Sequence, residues 1–181
     1  MPDSDLIRLL REAQRIGIVG PTDVESELTH ARHFVPGIPP EARDVVDLGS
    51  GAGLPGLVIA HDLDRVAVTL VERRGKRADF LRRAVVALHL GPRVRVVGDD
   101  VAEMMRSPIH RHSFDVTTAR AFGPPSWTLE CAATLCRPGG RAVVSLPPDN
   151  DCAELDSAAA KFCCHVEVPA EGHVAYVNFT S

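Results

Sequence analysis

The chain has 181 residues, 45% of them hydrophobic and 24% charged, a composition that suits one soluble globular domain with a sizeable core. A net charge of −4 excludes polyanion binding by bulk charge, no apolar run approaches the about 20 residues of a membrane span, and the acidic start lacks a secretory apolar region, so a cytoplasmic location is expected. Five cysteines without a C-x-x-C pair (Cys131, Cys136, Cys152, Cys163, Cys164) argue against both a disulfide framework and a zinc site.

Leu6, Leu9, Leu10 and Ala13 recur at helical spacing behind Ser4 and Asp5, which predicts an amphipathic first helix. Arg8, Arg11 and Arg15 fall on its wet face. Residues 17–43 are rich in proline and polar side chains and read as a loop-rich stretch with a short helix near 23–34. Residues 1–43 are therefore expected as an N-terminal lead-in, and 44–181 as the working domain of a single globular unit.

From Asp44 onward strands and helices alternate. Val45–Leu48 reads as a buried strand closed by glycines, with Pro55 near the first turn of a helix to about His61. Val66–Val71 is a second strand, and Leu81, Ala84, Val85 and Leu88 give helical spacing that Gly91-Pro92 ends. Val94–Val97 is a third strand, followed by a short helix near 100–106. Phe114–Thr118 is a fourth, followed by a helix over about 126–136 with Pro138-Gly139-Gly140 as its stop. Ala142–Leu146 is a fifth strand, Asp151–Phe162 a helix, and His165–Val168 with Val174–Phe179 a closing hairpin. Repeated βα units imply an α/β fold: an open, mostly parallel sheet with helices on both faces and a C-terminal antiparallel hairpin. Such sheets bind ligands outside the C-terminal strand ends, near the switch in strand order.

The loop Asp47-Leu48-Gly49-Ser50-Gly51-Ala52-Gly53-Leu54-Pro55-Gly56 carries two overlapping patterns. Gly51-x-Gly53-x-x-Gly56 fits a dinucleotide fingerprint, whereas Asp47-x-Gly49-x-Gly51-x-Gly53 fits binding of S-adenosylmethionine. Both need glycines so that the backbone can turn sharply and approach a ligand closely. A nearby carboxylate repels a pyrophosphate but attracts a sulfonium and an ammonium, so Asp47 favours the methyl donor. Glu72, closing the second strand, is placed to accept hydrogen bonds from ribose hydroxyls. Asp99 and Asp100, closing the third, are placed to meet an adenine amino group.

Target chemistry is written more faintly. No Asn-Pro-Pro-Tyr follows the fourth strand, and no Pro-Cys pair offers a nucleophile. A ring nitrogen with a free lone pair, such as guanine N7, needs neither, because alignment supplies most of the catalysis. Arg73, Arg74, Lys76, Arg77, Arg82 and Arg83 surround a single acid, Asp79, and mark where nucleic acid is expected to dock. The histidines are scattered without metal-ligand spacing. The single tryptophan, Trp127, either packs within its helix or stacks on a base.

Three of these stretches resemble the RsmG (glucose-inhibited division protein B) family. They are the loop Asp47–Gly56, the run Leu70-Val71-Glu72-Arg73-Arg74-Gly75-Lys76-Arg77-Ala78-Asp79-Phe80-Leu81, and Phe114-Asp115-Val116-Thr117-Thr118-Ala119-Arg120-Ala121-Phe122. The resemblance covers roughly residues 44–145. It implies a Rossmann-type class I methyltransferase that uses S-adenosylmethionine to methylate guanine N7 in small-subunit (16S) ribosomal RNA. It also implies that Gly49 and Leu54 line the donor, that Glu72 holds its ribose and that Val101-Ala102 lie beside the adenine. Arg120 would sit close to donor and target, and is the one residue for which a catalytic role stands open. Asp47, Gly51, Gly53 and Asp100 complete the expected donor set.

The departures from the family fall mainly on its RNA-facing side. Leu146-Pro147 stands where the family usually carries Lys-Gly, and the family's Asp-Ser does not follow His30. Asp99-Asp100 replaces a segment that commonly includes an arginine. A paralogue acting on a small molecule or another RNA, and a donor-binding domain without turnover, therefore stand as alternatives. A nicotinamide-dependent oxidoreductase is the outside rival.

Overall fold

The computed structural model describes residues 3–170 and 173–180. Helix α1 (Asp3–Arg15) buries Leu6, Leu9, Leu10 and Ala13 along one stripe, with Asp3 and Asp5 favourably placed in its first turn. Helix α2 (Val24–Arg32) is capped by Asp23, whose carboxylate accepts from the Ser26 amide. The remaining elements are β1 (Asp44–Leu48), α3 (Gly56–Asp62), β2 (Ala67–Val71), α4 (Gly75–Ala87), β3 (Val94–Val97) and α5 (Val101–Arg106). They continue with β4 (Phe114–Ala119), α6 (Pro125–Leu135), β5 (Cys136–Ser145), α7 (Ala153–Ala160), β6 (His165–Glu167) and β7 (Val174–Asn178).

The strands form one sheet in the order β3-β2-β1-β4-β5-β7-β6. The first five run parallel, and β7 lies antiparallel between β5 and β6. Side chains alternate across it: Val45 joins one apolar cluster, while Val46 and Leu48 join another. Helices α1 to α4 cover the first face and α5 to α7 the second, which is why the central strands read as nearly continuous apolar runs. Chain order reverses between β1 and β4, so the switch point lies over that seam.

Residues 3–43, expected as a lead-in, share their core with the sheet. Leu6, Leu28 and Phe34 pack in the same cluster as Val45 and Ile59. Two α4 side chains expected to meet nucleic acid secure this segment: Lys76 Nζ donates to the Ile16 carbonyl at 2.6 Å, and Arg77 Nη2 to the Ile18 carbonyl at 3.4 Å. Cations are thus set against carbonyls just past the end of α1. Lys76→Ala is expected to lower stability by up to about 1 kcal/mol and to speed hydrogen exchange at the Gly17 and Ile18 amides.

Two boundaries differ from expectation. Pro138-Gly139-Gly140 does not separate α6 from the next strand, because β5 starts at Cys136 and loops out through these residues. Cys136 opposes Phe114 and Arg141 opposes Val116, with Gly139 at φ +76° absorbing the bulge. Helix α7 starts two residues after Asp151, whose carboxylate accepts from the Ala153 amide outside the helix. All five cysteines are free thiols. Among the described residues no helix is long and apolar enough to cross a membrane, and no three His, Cys, Asp or Glu side chains are grouped so as to hold a metal ion.

Candidate functional site

After β1 the chain turns through Gly49 (φ +65°), Gly51 (φ +57°) and Gly53 (φ +96°), backbone that side-chain-bearing residues rarely adopt. Space also demands glycine at two of them. A Cβ at Gly49 would stand 2.7 Å from the Phe122 ring, and one at Gly53 would stand 2.2 Å from Leu57 Cδ1. The Ser50 amide donates to the Val71 carbonyl at 2.9 Å, and the Ser50 hydroxyl to the Asp47 carbonyl at 3.0 Å.

Glu72 ties this loop to the next unit. Its Oε2 accepts from the Gly51 amide at 3.0 Å and its Oε1 from the Arg74 amide at 2.8 Å. The residue is only 4% exposed, yet it is among those that line a cavity. Each oxygen retains a second acceptor position.

Asp47 lies beneath the loop, 1% exposed, rather than on the cavity wall. Its Oδ1 accepts from the Thr118 hydroxyl at 2.8 Å across the β1–β4 seam, while Oδ2 turns toward Gly56 without a well-formed hydrogen bond. Burial pushes its pKa up to about 6, against the opposing pull of the Thr118 hydroxyl. The folded chain therefore holds a proton that the unfolded chain releases near pH 4. This contribution to stability is full below about pH 4 and is lost as pH rises through about 6, a change of order 3 kcal/mol. Denaturant melts from pH 4 to 7 are expected to show that decline, and Asp47→Asn to remove it.

Two cavities open at the carboxyl ends of the strands and share Ala121 and Phe122 as a common wall. The first, about 260 Å³, lies over β1, β2 and β3 and takes in Gly49, Glu72, Asp99, Asp100, Val101 and Trp127, with Arg73, Arg74 and Arg77 on its α4 side. Asp100 caps α5: its Oδ1 accepts from the Ala102 amide at 3.0 Å and its Oδ2 from Arg73 at 3.1 Å. The Ala102 amide, with Arg73 beside it, holds the carboxyl below the usual range. The second cavity, about 530 Å³, lies over β4 and β5 between α6 and α7. Thr128, Ser145, Leu146 and Pro147 line it, Asp149, Asp151 and Glu154 form its rim, and no lysine or arginine borders it.

Of the residues expected to form the donor set, Gly49, Glu72, Asp100 and Val101 converge on the smaller cavity. Gly51 and Gly53 shape the loop behind it, Leu54 packs into the first apolar cluster, and the Ala102 amide is used in capping α5. Arg120 follows β4 but lines neither cavity; it pairs with Glu27 of α2, and its buried Nη1 has no partner among the described residues. Sequence reading missed Thr118 and Glu27 as partners and gave Phe122 no role. The Phe122 ring, within the matched Phe114–Phe122 stretch, was the one visible signal.

The fold and the glycine loop with its carboxylate define a class I methyltransferase architecture. An O-methyltransferase from Bacillus cereus in complex with SAH superposes with a TM-score of 0.69 at 16% identity, over 98% of this chain and 90% of that one. A methyltransferase from Geobacter sulfurreducens gives 0.71 at 15% identity, over 99% and 90%. The chain belongs to the rRNA small subunit methyltransferase G (GidB) family, whose profile matches residues 7–171. The ribosomal RNA small subunit methyltransferase G of Roseiflexus sp. strain RS-1 is 34% identical over 77% of this chain and 60% of its own. That of Chloroflexus aggregans is 37% identical over 68% and 50%, and that of Roseiflexus castenholzii 43% identical over 54% and 41%. This chain thus spans about half the length of the curated relatives it matches.

Proposed function

We propose that the chain transfers a methyl group from S-adenosylmethionine to guanine N7 of small-subunit ribosomal RNA. The observation that carries this reading is the pair of cavities meeting at Phe122 over the β1–β4 seam, one walled by the glycine loop and Glu72. Bound in the smaller cavity, S-adenosylmethionine supplies an electrophilic methyl group on a sulfonium. The residues present fit that guest. Gly49 offers bare backbone, the Glu72 oxygens keep acceptor positions for ribose hydroxyls, and Asp100 offers a carboxylate beside Val101.

The larger cavity receives the target base. Guanine N7 carries a lone pair and no proton, so no side chain has to act as a general base, and holding the base in line supplies the acceleration. Methylation leaves positive charge on the ring, which the Asp149, Asp151 and Glu154 rim favours. Arg73, Arg74, Lys76, Arg77, Arg82 and Arg83 provide the cationic surface for RNA, although Lys76 and Arg77 also hold the chain after α1, and Arg82 pairs with Asp79. A ribosomal target puts this work in the cytoplasm.

The test is transfer of label from the methyl donor to small ribosomal subunits and to naked ribosomal RNA, followed by digestion to nucleosides. Labelled 7-methylguanosine is expected; no incorporation into either substrate sinks the reading. The absence of any cation around the larger cavity, where Leu146-Pro147 replaces Lys-Gly, favours a small-molecule paralogue as the second reading. Full activity after charge reversal at Arg74 and Arg83 would support it.

A further inference from the structure

We infer that Trp127 is the adenine-stacking residue of the donor cavity, its indole packing against the purine of a bound adenosyl group. This rests on the donor reading above and adds a contact that neither the glycine loop nor Glu72 specifies. Trp127 stands in the first turn of α6, just after Pro124 and Pro125, whose fixed φ angles make that turn a stiff mount. Half-buried Trp127 packs against the second apolar cluster and also borders the smaller cavity. Among the described residues no other aromatic ring lies against it, so no ring contact occupies its face.

Strand order supplies the direction. Glu72 follows β2 and Asp100-Val101 follow β3, the next strand outward, so a ribose held at Glu72 directs its base toward Val101. Val101 and Trp127 are then the apolar surfaces available to a flat ring, and the Asp99 and Asp100 carboxylates are acceptors for its amino group. Phe122 belongs to the opposite end, against Gly49. Trp127 borders the donor cavity and not the larger one, which separates it from a stacking role on the target base.

Trp127 is the chain's single tryptophan, so emission excited clear of tyrosine reports this position alone. S-adenosylhomocysteine and 5′-methylthioadenosine are expected to change the emission saturably, with the affinity that calorimetry gives; homocysteine and guanosine monophosphate are expected to leave it unchanged. Trp127→Leu, which keeps apolar bulk, is expected to weaken S-adenosylhomocysteine binding about 5- to 150-fold, the usual range for loss of base–aromatic stacking. Trp127→Phe should stay within a few-fold of the parent, and melting of both variants without ligand controls for folding. Unchanged emission at calorimetric saturation, a Leu variant within twofold of the parent, or a response to guanosine monophosphate in place of the adenosyl compounds overturns the inference alone. Absence of calorimetric binding to the parent chain overturns the donor reading, and this inference with it.

Discussion

Glu72→Ala is expected to lower the unfolding free energy by about 3 kcal/mol and to remove measurable binding of S-adenosylhomocysteine. The carboxylate accepts from two backbone amides 23 residues apart in sequence, Gly51 in the loop after β1 and Arg74 at the cap of α4. Hydrogen bonds to a charged group contribute about 1.5–3 kcal/mol each, and truncation leaves both partly buried donors without a partner. Alanine also empties the wall on which the ribose reading depends. Glu72→Gln separates the two roles, since its one carbonyl oxygen can serve a single amide while its amino group opposes the other. Denaturant melts should rank the parent above Gln and Gln above Ala, with calorimetric affinity following the same order. Equal stability for all three chains would contradict the tether described for Glu72.

Gly49→Ala carries the second large effect, a loss of about 2 kcal/mol in stability and at least about tenfold in methyl transfer. Two causes add. At φ +65° a side chain costs roughly 1–2 kcal/mol, and its methyl would stand 2.7 Å from the Phe122 ring. The ring can yield, but it is the wall common to both cavities, so relief of the clash displaces the boundary between donor and target. A double-mutant cycle with Phe122→Ala divides the effect. The steric part should vanish in the Phe122→Ala background and the backbone part should remain. Full additivity of the two substitutions would mean that the ring and Gly49 do not interact.

What could be read from the chain was what is local in it. The Val-rich strands announced a sheet covered on both sides, and Gly49, Gly51, Gly53 and Glu72 lie within one βαβ unit whose spacing betrays it. Partnerships across the fold left no such trace. Asp47 is the same letter in the sequence whether it faces a ligand or lies under a loop, and only its hydrogen bond with Thr118 shows which. Glu27 reaches Arg120 across 93 positions, a distance at which no periodicity speaks. Lys76 and Arg77 look like solvated cations in sequence because the carbonyls they cover belong to the chain after α1. Pro138-Gly139-Gly140 has the composition of a turn, and became a bulge because β4 held the strand on either side of it.

The β1–β4 seam has a kinetic side. Asp47 and Thr118, which meet across it, are 71 positions apart, a longer excursion than any other parallel pairing in this sheet requires. Loop-closure entropy grows with that length, and contacts of large sequence separation slow folding. The smaller cavity straddles this joint, with Gly49, Glu72 and Val101 on one side and Ala121, Phe122 and Trp127 on the other, so it does not exist in a chain whose β1–β2–β3 and β4–β5 halves have formed but not docked. Ligand capacity therefore measures complete assembly rather than secondary structure content. In refolding, the far-ultraviolet signal should return ahead of the capacity to bind S-adenosylhomocysteine, by the time the two halves take to find each other.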